Sequence, residues 1–292
     1  QETFYSTALD AFHYGGNLYG LPYSMEAIAL IYNKEYVEEP PKNMEELINI
    51  AKRIDATYKG EVRGFITSAA EFYYAAPFIL GSGGYVFKET PEGLDVTDIG
   101  LASPGAIKGA ELWKRLVDEG ILTTGDNYEI MDSLFKEGKA AMIINGPWAV
   151  KAYKDAGIDY GVALIPDLEE GLPAKPFVGV QGFMINAKSP NKVLARDFLV
   201  NFIATKDTMH KIYLADPRLP SREDVLSLVE DDPDIVGFTQ SAANGTPMPN
   251  VMEMAAVWGA MNDALNLIIN GKASPEDALI NAVETIKAQI GK

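Results

Sequence analysis

The chain has 292 residues, 47% hydrophobic and 23% charged, the proportions of an ordinary globular protein long enough for two domains. A formal net charge of −16 argues against nucleic acid and anionic membrane surfaces, because both repel an acidic protein. The absence of cysteine excludes disulfides and thiol chemistry together, and no run approaches the roughly 18 apolar residues of a membrane helix.

The first residues, Gln1-Glu2-Thr3-Phe4, have neither the basic start nor the apolar segment of a signal peptide. Glu26 stands between Met25 and the apolar run Ala27-Ile28-Ala29-Leu30-Ile31, so it reads as a solvated or hinge-locking carboxylate or as a ligand contact. From Pro40 onward helical and strand signals alternate, which predicts an α/β architecture with largely parallel sheets. Asn43 with Glu46 makes a capping box for a helix whose inner face is Met44, Leu47, Ile48, Ala51 and Ile54. Glu71-Phe72-Tyr73-Tyr74 sets three rings after a carboxylate. Ser103-Pro104 opens a helix that Gly120 stops, with Ile107, Ala110, Trp113, Leu116 and Val117 as its apolar stripe, so Trp113 is a core residue. Tyr128 follows the turn Thr124-Gly125-Asp126-Asn127. Ala140 to Ile144 is a β-branched apolar run suited to a strand covered on both faces, and Asn145-Gly146-Pro147 ends it. Trp148 therefore lies just beyond a strand's carboxyl end, where open α/β sheets bind ligands, and reads either as core or as a wall of a site.

Phe177 to Val180 and Phe183 to Ile185 read as one strand with a weak point at Gly179 to Gly182. Ser189 or Asn191 caps a helix through Ile203, and Ser274-Pro275 opens the last helix, running to about Ile290. Trp258 lies in a Met- and Ala-rich helix. Glu230-Asp231-Asp232 reads as a solvated loop, and Tyr14, Tyr19, Tyr32 and Tyr85 as packing residues. His13 and His210 have no second ligand at close spacing, so neither a metal nor a cofactor is expected.

Several segments, in this order, resemble the maltose/maltodextrin-binding proteins of bacterial ABC importers: Tyr14 to Pro22 (YGGNLYGLP), Glu26 to Lys34, Gly83 to Phe87, Ile144 to Ala149 (INGPWA), Lys175 to Val180 (KPFVGV), Ile185 to Ala187 and Met248 to Asn250. The resemblance implies a type II periplasmic-binding-protein fold of two α/β lobes joined by crossing segments. Residues 1–22 and 183–228 would belong to the amino-terminal lobe, 28–179 and 235–292 to the carboxyl-terminal lobe, with hinges at 23–27, 180–182 and 229–234. It also implies an amino-terminal lobe lacking its opening strands and helices, hence, as the alternative to a sugar-capturing protein, a truncated single-lobe or self-associating chain with little sugar binding of its own, for which self-association or a separate amino-terminal segment is an expectation.

A pyranose has apolar C–H faces and a rim of hydroxyls, so its site needs flat rings and carboxylates or amides at the edge. By resemblance, Tyr73, Trp148 and Trp258 are the stacking residues, Tyr128 touches hydroxyls, and Glu26 and Glu71 accept from them. Phe72 stands in place of a usual proline and Asn262 in place of an arginine. The implied partners are maltose or maltodextrins and the membrane subunits of an ABC permease, in a periplasmic or extracellular location. A glycosidase using Glu26 and Glu71 is the enzymatic alternative, with residue type as its only support.

Overall fold

The computed structural model describes residues 3–291. Ala29–Asn33 is the central strand of a three-stranded sheet, between Met142–Asn145 and Tyr160–Ala163. Leu30 lies opposite Ile144 and Ile31 opposite Ile143, and every residue of Met142–Asn145 is buried, as a strand covered on both faces requires. That strand begins two residues later than the apolar run suggests. Both pairings are antiparallel, which corrects the expectation of largely parallel sheets; parallel contact is confined here to isolated bridges such as Arg63 with Ala140 and Ile66 with Ile143. Alternating signals fix element type, whereas direction depends on the side from which a strand enters. Ala29–Asn33 enters straight from the strand Gly20–Glu26.

A second sheet has Gly20–Glu26 and Phe177–Met184 as its antiparallel centre. Leu219–Pro220 flanks the first, and Thr246–Pro247 runs parallel beside the second. Phe177–Met184 is continuous through Gly179 to Gly182, and the irregularity falls instead on its partner, where the register shifts between Pro22 and Ser24. The glycines there serve packing: a Cβ on Gly20 or Gly182 would fall within 2.3 to 2.4 Å of the Phe12 ring, so the ring lies directly on the two strands.

The helices follow their end signals. Asn43 Oδ1 accepts from Glu46 N–H at 3.0 Å, while Glu46 Oε2 accepts from Lys42 N–H at 2.8 Å, closing a box over Met44–Thr57. Ser103 caps Pro104–Asp118, and Ser274 caps Pro275–Ile290. Trp113 is fully buried, donates its indole N–H to Ala69 O at 2.9 Å and packs on Phe78 at 4.8 Å. The helix expected through Ile203 begins at Lys192 without a side-chain cap and widens to a π-turn over Leu199–Ile203. Asp232 is half-buried rather than a solvated loop residue: it caps Pro233–Asn244 and accepts from Tyr213 Oη at 3.0 Å. Tyr14 and Tyr19 do not pack. They stand exposed on or beside the two-residue strands His13–Tyr14 and Asn17–Leu18, whose Gly15-Gly16 turn has positive φ at both positions.

One continuous core runs from Ile28 to Ile286, and a separate small one gathers Phe4, Met209 and Val225. Phe183, Met184, Val193, Leu194, Phe198 and Phe202 are exposed. Among the described residues no helix is long and apolar enough to cross a membrane.

Candidate functional site

Met142–Asn145 delivers its end into Gly146 and Pro147, which start the helix Pro147–Asp155 with Trp148 in its first turn. The Trp148 ring folds back over Gly146, where an added Cβ would lie 2.1 Å from it. Asn145 is fully buried and secures this turn: its Oδ1 accepts from Gly146 N–H at 2.9 Å and its Nδ2 donates to Tyr153 Oη at 2.7 Å. Tyr153 Oη in turn donates to Asp132 at 3.0 Å.

Phe72–Gly81 begins after Glu71, whose Oε1 accepts from Ser68 Oγ at 2.9 Å. Its first turn places Tyr73, half-buried, at the centre of a ring cluster. Tyr73 lies 6.2 Å from Trp148, 6.4 Å from Trp258 of the helix Met254–Ile269, and 6.4 Å from Phe177 in a stacked orientation. Trp148 and Trp258 are also half-buried, whereas Phe177 is wholly buried and forms the floor. The result is a shelf of partly open rings on a closed base. Burial pushes the Tyr73 phenol well above its ordinary range, and the nearby Glu26 carboxylate adds to the rise while Arg218 opposes it.

Glu26, 9% exposed, ends Gly20–Glu26 and is held from two sides. Gln181 Nε2 donates to its Oε1 at 3.0 Å and Arg218 Nη1 donates to its Oε2. Arg218 Nε also donates to Asp216 Oδ2 at 2.7 Å.

The structure therefore brings Tyr73, Trp148, Trp258 and Glu26 together, with Glu71 one residue before the ring pair it introduces. Phe72 faces the other way: it is wholly buried against Phe177 and Trp258 at 5.8 and 5.9 Å, with no surface to offer a ligand. Asn262 spends its Oδ1 on Phe72 N–H at 2.8 Å, tying Met254–Ile269 to the start of Phe72–Gly81. Tyr128 opens the helix Tyr128–Lys136 and lies on the Tyr74 side: burial first, then Tyr128 and Glu71, raise the Tyr74 phenol. The loop before Tyr128 is pinned by Asp126, nearly buried, which pairs with Arg63 at 2.9 Å and accepts from Thr123 N–H at 2.8 Å. Sequence reasoning missed Phe177 as the floor and Gln181 and Arg218 as partners of Glu26. Phe177 carried a signal as part of a strand; the other two carried none, because their role depends on strand register. A cavity of about 530 Å³ contains none of the eight predicted residues and touches the cluster through Phe177, its other walls including Asp10, Lys88, Lys175, Met248 and Asn250.

The arrangement offers stacking surfaces with an acceptor nearby, and the chain as a sequence is similar to known proteins. The family model described as bacterial extracellular solute-binding protein matches residues 2–237. The chain is 36% identical to a galactooligosaccharide-binding protein of Bacillus subtilis (strain 168), over 94% of this chain and 66% of that protein. It is 32% identical to a maltooligosaccharide ABC transporter solute-binding lipoprotein of Streptococcus pneumoniae (strain ATCC BAA-255 / R6), over 95% and 68%. It is also 32% identical to a maltotriose-binding protein of Pyrococcus abyssi (strain GE5 / Orsay), over 97% and 61%. The chain thus spans about two thirds of the length of the curated relatives it matches. By these matches, the chain belongs to the bacterial extracellular solute-binding protein family.

Proposed function

We propose that this chain captures a neutral oligosaccharide, in the first instance a maltodextrin such as maltotriose, for delivery to the membrane subunits of an ABC permease outside the cytoplasm. The observation that carries this reading is the ring shelf: Tyr73, Trp148 and Trp258 half open around a buried Phe177, with the Glu26 carboxylate near Tyr73. Sugar C–H faces stack on such rings, and carboxylates accept from ring hydroxyls. Trp148, Trp258 and Tyr73 are assigned to stacking, and Glu26, Glu71 and Tyr128 to hydroxyls; Phe72 and Asn262 support the shelf from behind. The stretches 23–27, 180–182 and 229–234 are assigned as the crossings between a carboxyl-terminal lobe (28–179, 235–292) and an amino-terminal lobe (1–22, 183–228), so that hinge bending closes the cleft. The role is binding without catalysis.

Galacto-oligosaccharides form a second reading, favoured by the higher identity to the Bacillus subtilis relative, whose name gives that ligand. Calorimetry with maltotriose, maltoheptaose and a galacto-oligosaccharide decides between them. Saturable binding is expected, weakened about tenfold in Trp148→Ala and in Trp258→Ala, since each stacked ring contributes about 1 kcal/mol or more. Binding unchanged by both substitutions, or release of reducing ends from maltoheptaose, refutes the proposal.

A further inference from the structure

Leu219–Pro220 pairs antiparallel with Gly20–Glu26, setting Leu219 opposite Met25 and Pro220 opposite Ser24. Continued by one residue, that register places Arg218 opposite Glu26, and directly opposed residues of an antiparallel pair share a face of the sheet. On the other side Gln181 lies opposite Ser24, so its side chain reaches Glu26 along the same face. Three separate chain segments thus converge on one nearly buried carboxylate. Ser24, two residues earlier on this face, is also buried, and its hydroxyl has no partner among the described residues.

We propose that Arg218 is the positioning residue of the sugar site, holding Glu26 so that its free lone pairs meet ligand hydroxyls. The inference rests on the oligosaccharide reading above. Each carboxylate oxygen has two acceptor sites; Gln181 occupies one on Oε1 and Arg218 one on Oε2, which leaves one on each oxygen for a ligand. The guanidinium fork is itself fixed through Nε to Asp216 at 2.7 Å, and Asp216 is brought close by the tight turn in which Arg218 N–H donates to Asp216 O at 2.8 Å. A lysine is a single point of charge and cannot span Asp216 and Glu26 in this planar geometry. With one guanidinium between two carboxylates the group keeps a negative charge, which suits hydroxyl donors and disfavours anions.

The test is a double-mutant cycle of Glu26→Gln and Arg218→Met on the 292-residue chain, with Arg218→Lys as the conservative variant, read by calorimetry with maltotriose and the galacto-oligosaccharide. Arg218→Met is expected to weaken binding about tenfold, because the bond it leaves undirected is to a charged group. Arg218→Lys recovers part of that loss, and Arg218→Met adds nothing once Glu26 is Gln. The same proportional loss in both backgrounds overturns the proposal. If the wild-type chain binds none of the sugars, the oligosaccharide reading fails, and side-chain NMR decides the positioning role alone. A shifted and broadened Glu26 carboxylate carbon and Gln181 amide in Arg218→Met, with unchanged far-ultraviolet circular dichroism, support it; unchanged signals overturn it.

Discussion

Gly146→Ala isolates the geometry of the shelf from the stability of the fold. A Cβ at this position would stand 2.1, 2.2 and 2.5 Å from Cζ3, Cη2 and Cε3 of Trp148. Ordinary carbon contacts are about 3.5 to 4.0 Å, so the indole has to retreat by more than about 1 Å. The backbone does not object, because Gly146 has φ −107° and ψ 175°, a conformation open to alanine. Stability therefore falls only by about 1 kcal/mol, chiefly because alanine is a poor first residue ahead of a helix. The ring, displaced from its place 6.2 Å from Tyr73, no longer presents its face beside that partner. Loss of one stacking surface costs about 1 kcal/mol or more of binding, which is nearly tenfold in affinity. Tryptophan emission, thermal melting and maltotriose calorimetry on the same preparation check this. A variant with wild-type emission and wild-type affinity refutes the claim that Gly146 exists to let Trp148 lie where it does.

Trp113→Ala should cost about 3 to 5 kcal/mol of stability, measured by urea unfolding, because it empties a fully buried site and orphans Ala69 O; binding per folded molecule should be unchanged. Arg63→Met strands the Asp126 carboxylate, with a side chain 3% exposed, and should cost about 3 kcal/mol by the same assay while speeding hydrogen exchange before Tyr128. Glu45, Glu119 and Asp224 are held below the ordinary carboxylate range chiefly by hydrogen bonds from Arg115, Lys52 and Arg222 respectively. Their stabilisation is therefore complete above the ordinary values of 4.5 and 3.8 and is lost as pH falls below them, which thermal melts between neutral and acid pH should show. Amides of 107–117 and 141–144 should exchange slowly and those of 3–22 fast, since the first two lie in the large core and the last has few buried contacts.

The sequence by itself determined what depends on neighbours along the chain. Asn43, Ser103 and Ser274 each leave a side-chain acceptor for the orphan amides of a helix start, so those helices begin where their caps stand. The stripe through Trp113 and the run Ala140 to Ile144 announced burial through period and composition alone, because an apolar face has nowhere else to go. Tyr73, Trp148, Trp258, Glu26 and Glu71 were named through the family resemblance, and of the three rings the INGPWA segment carries Trp148.

Tertiary structure decided everything that depends on register and approach between distant segments. Antiparallel entry of Ala29–Asn33 gave strand directions that alternation of elements cannot encode. Phe72 turned inward and its neighbour Tyr73 outward, since the first turn of one helix presents successive residues about 100° apart and only packing against Phe177 selects which faces the core. Asn262 became a tie to Phe72 across 190 positions of sequence. Arg218 reached Glu26 across 192, a contact fixed by pairing between two strands, and no local pattern at either residue records where the other will be.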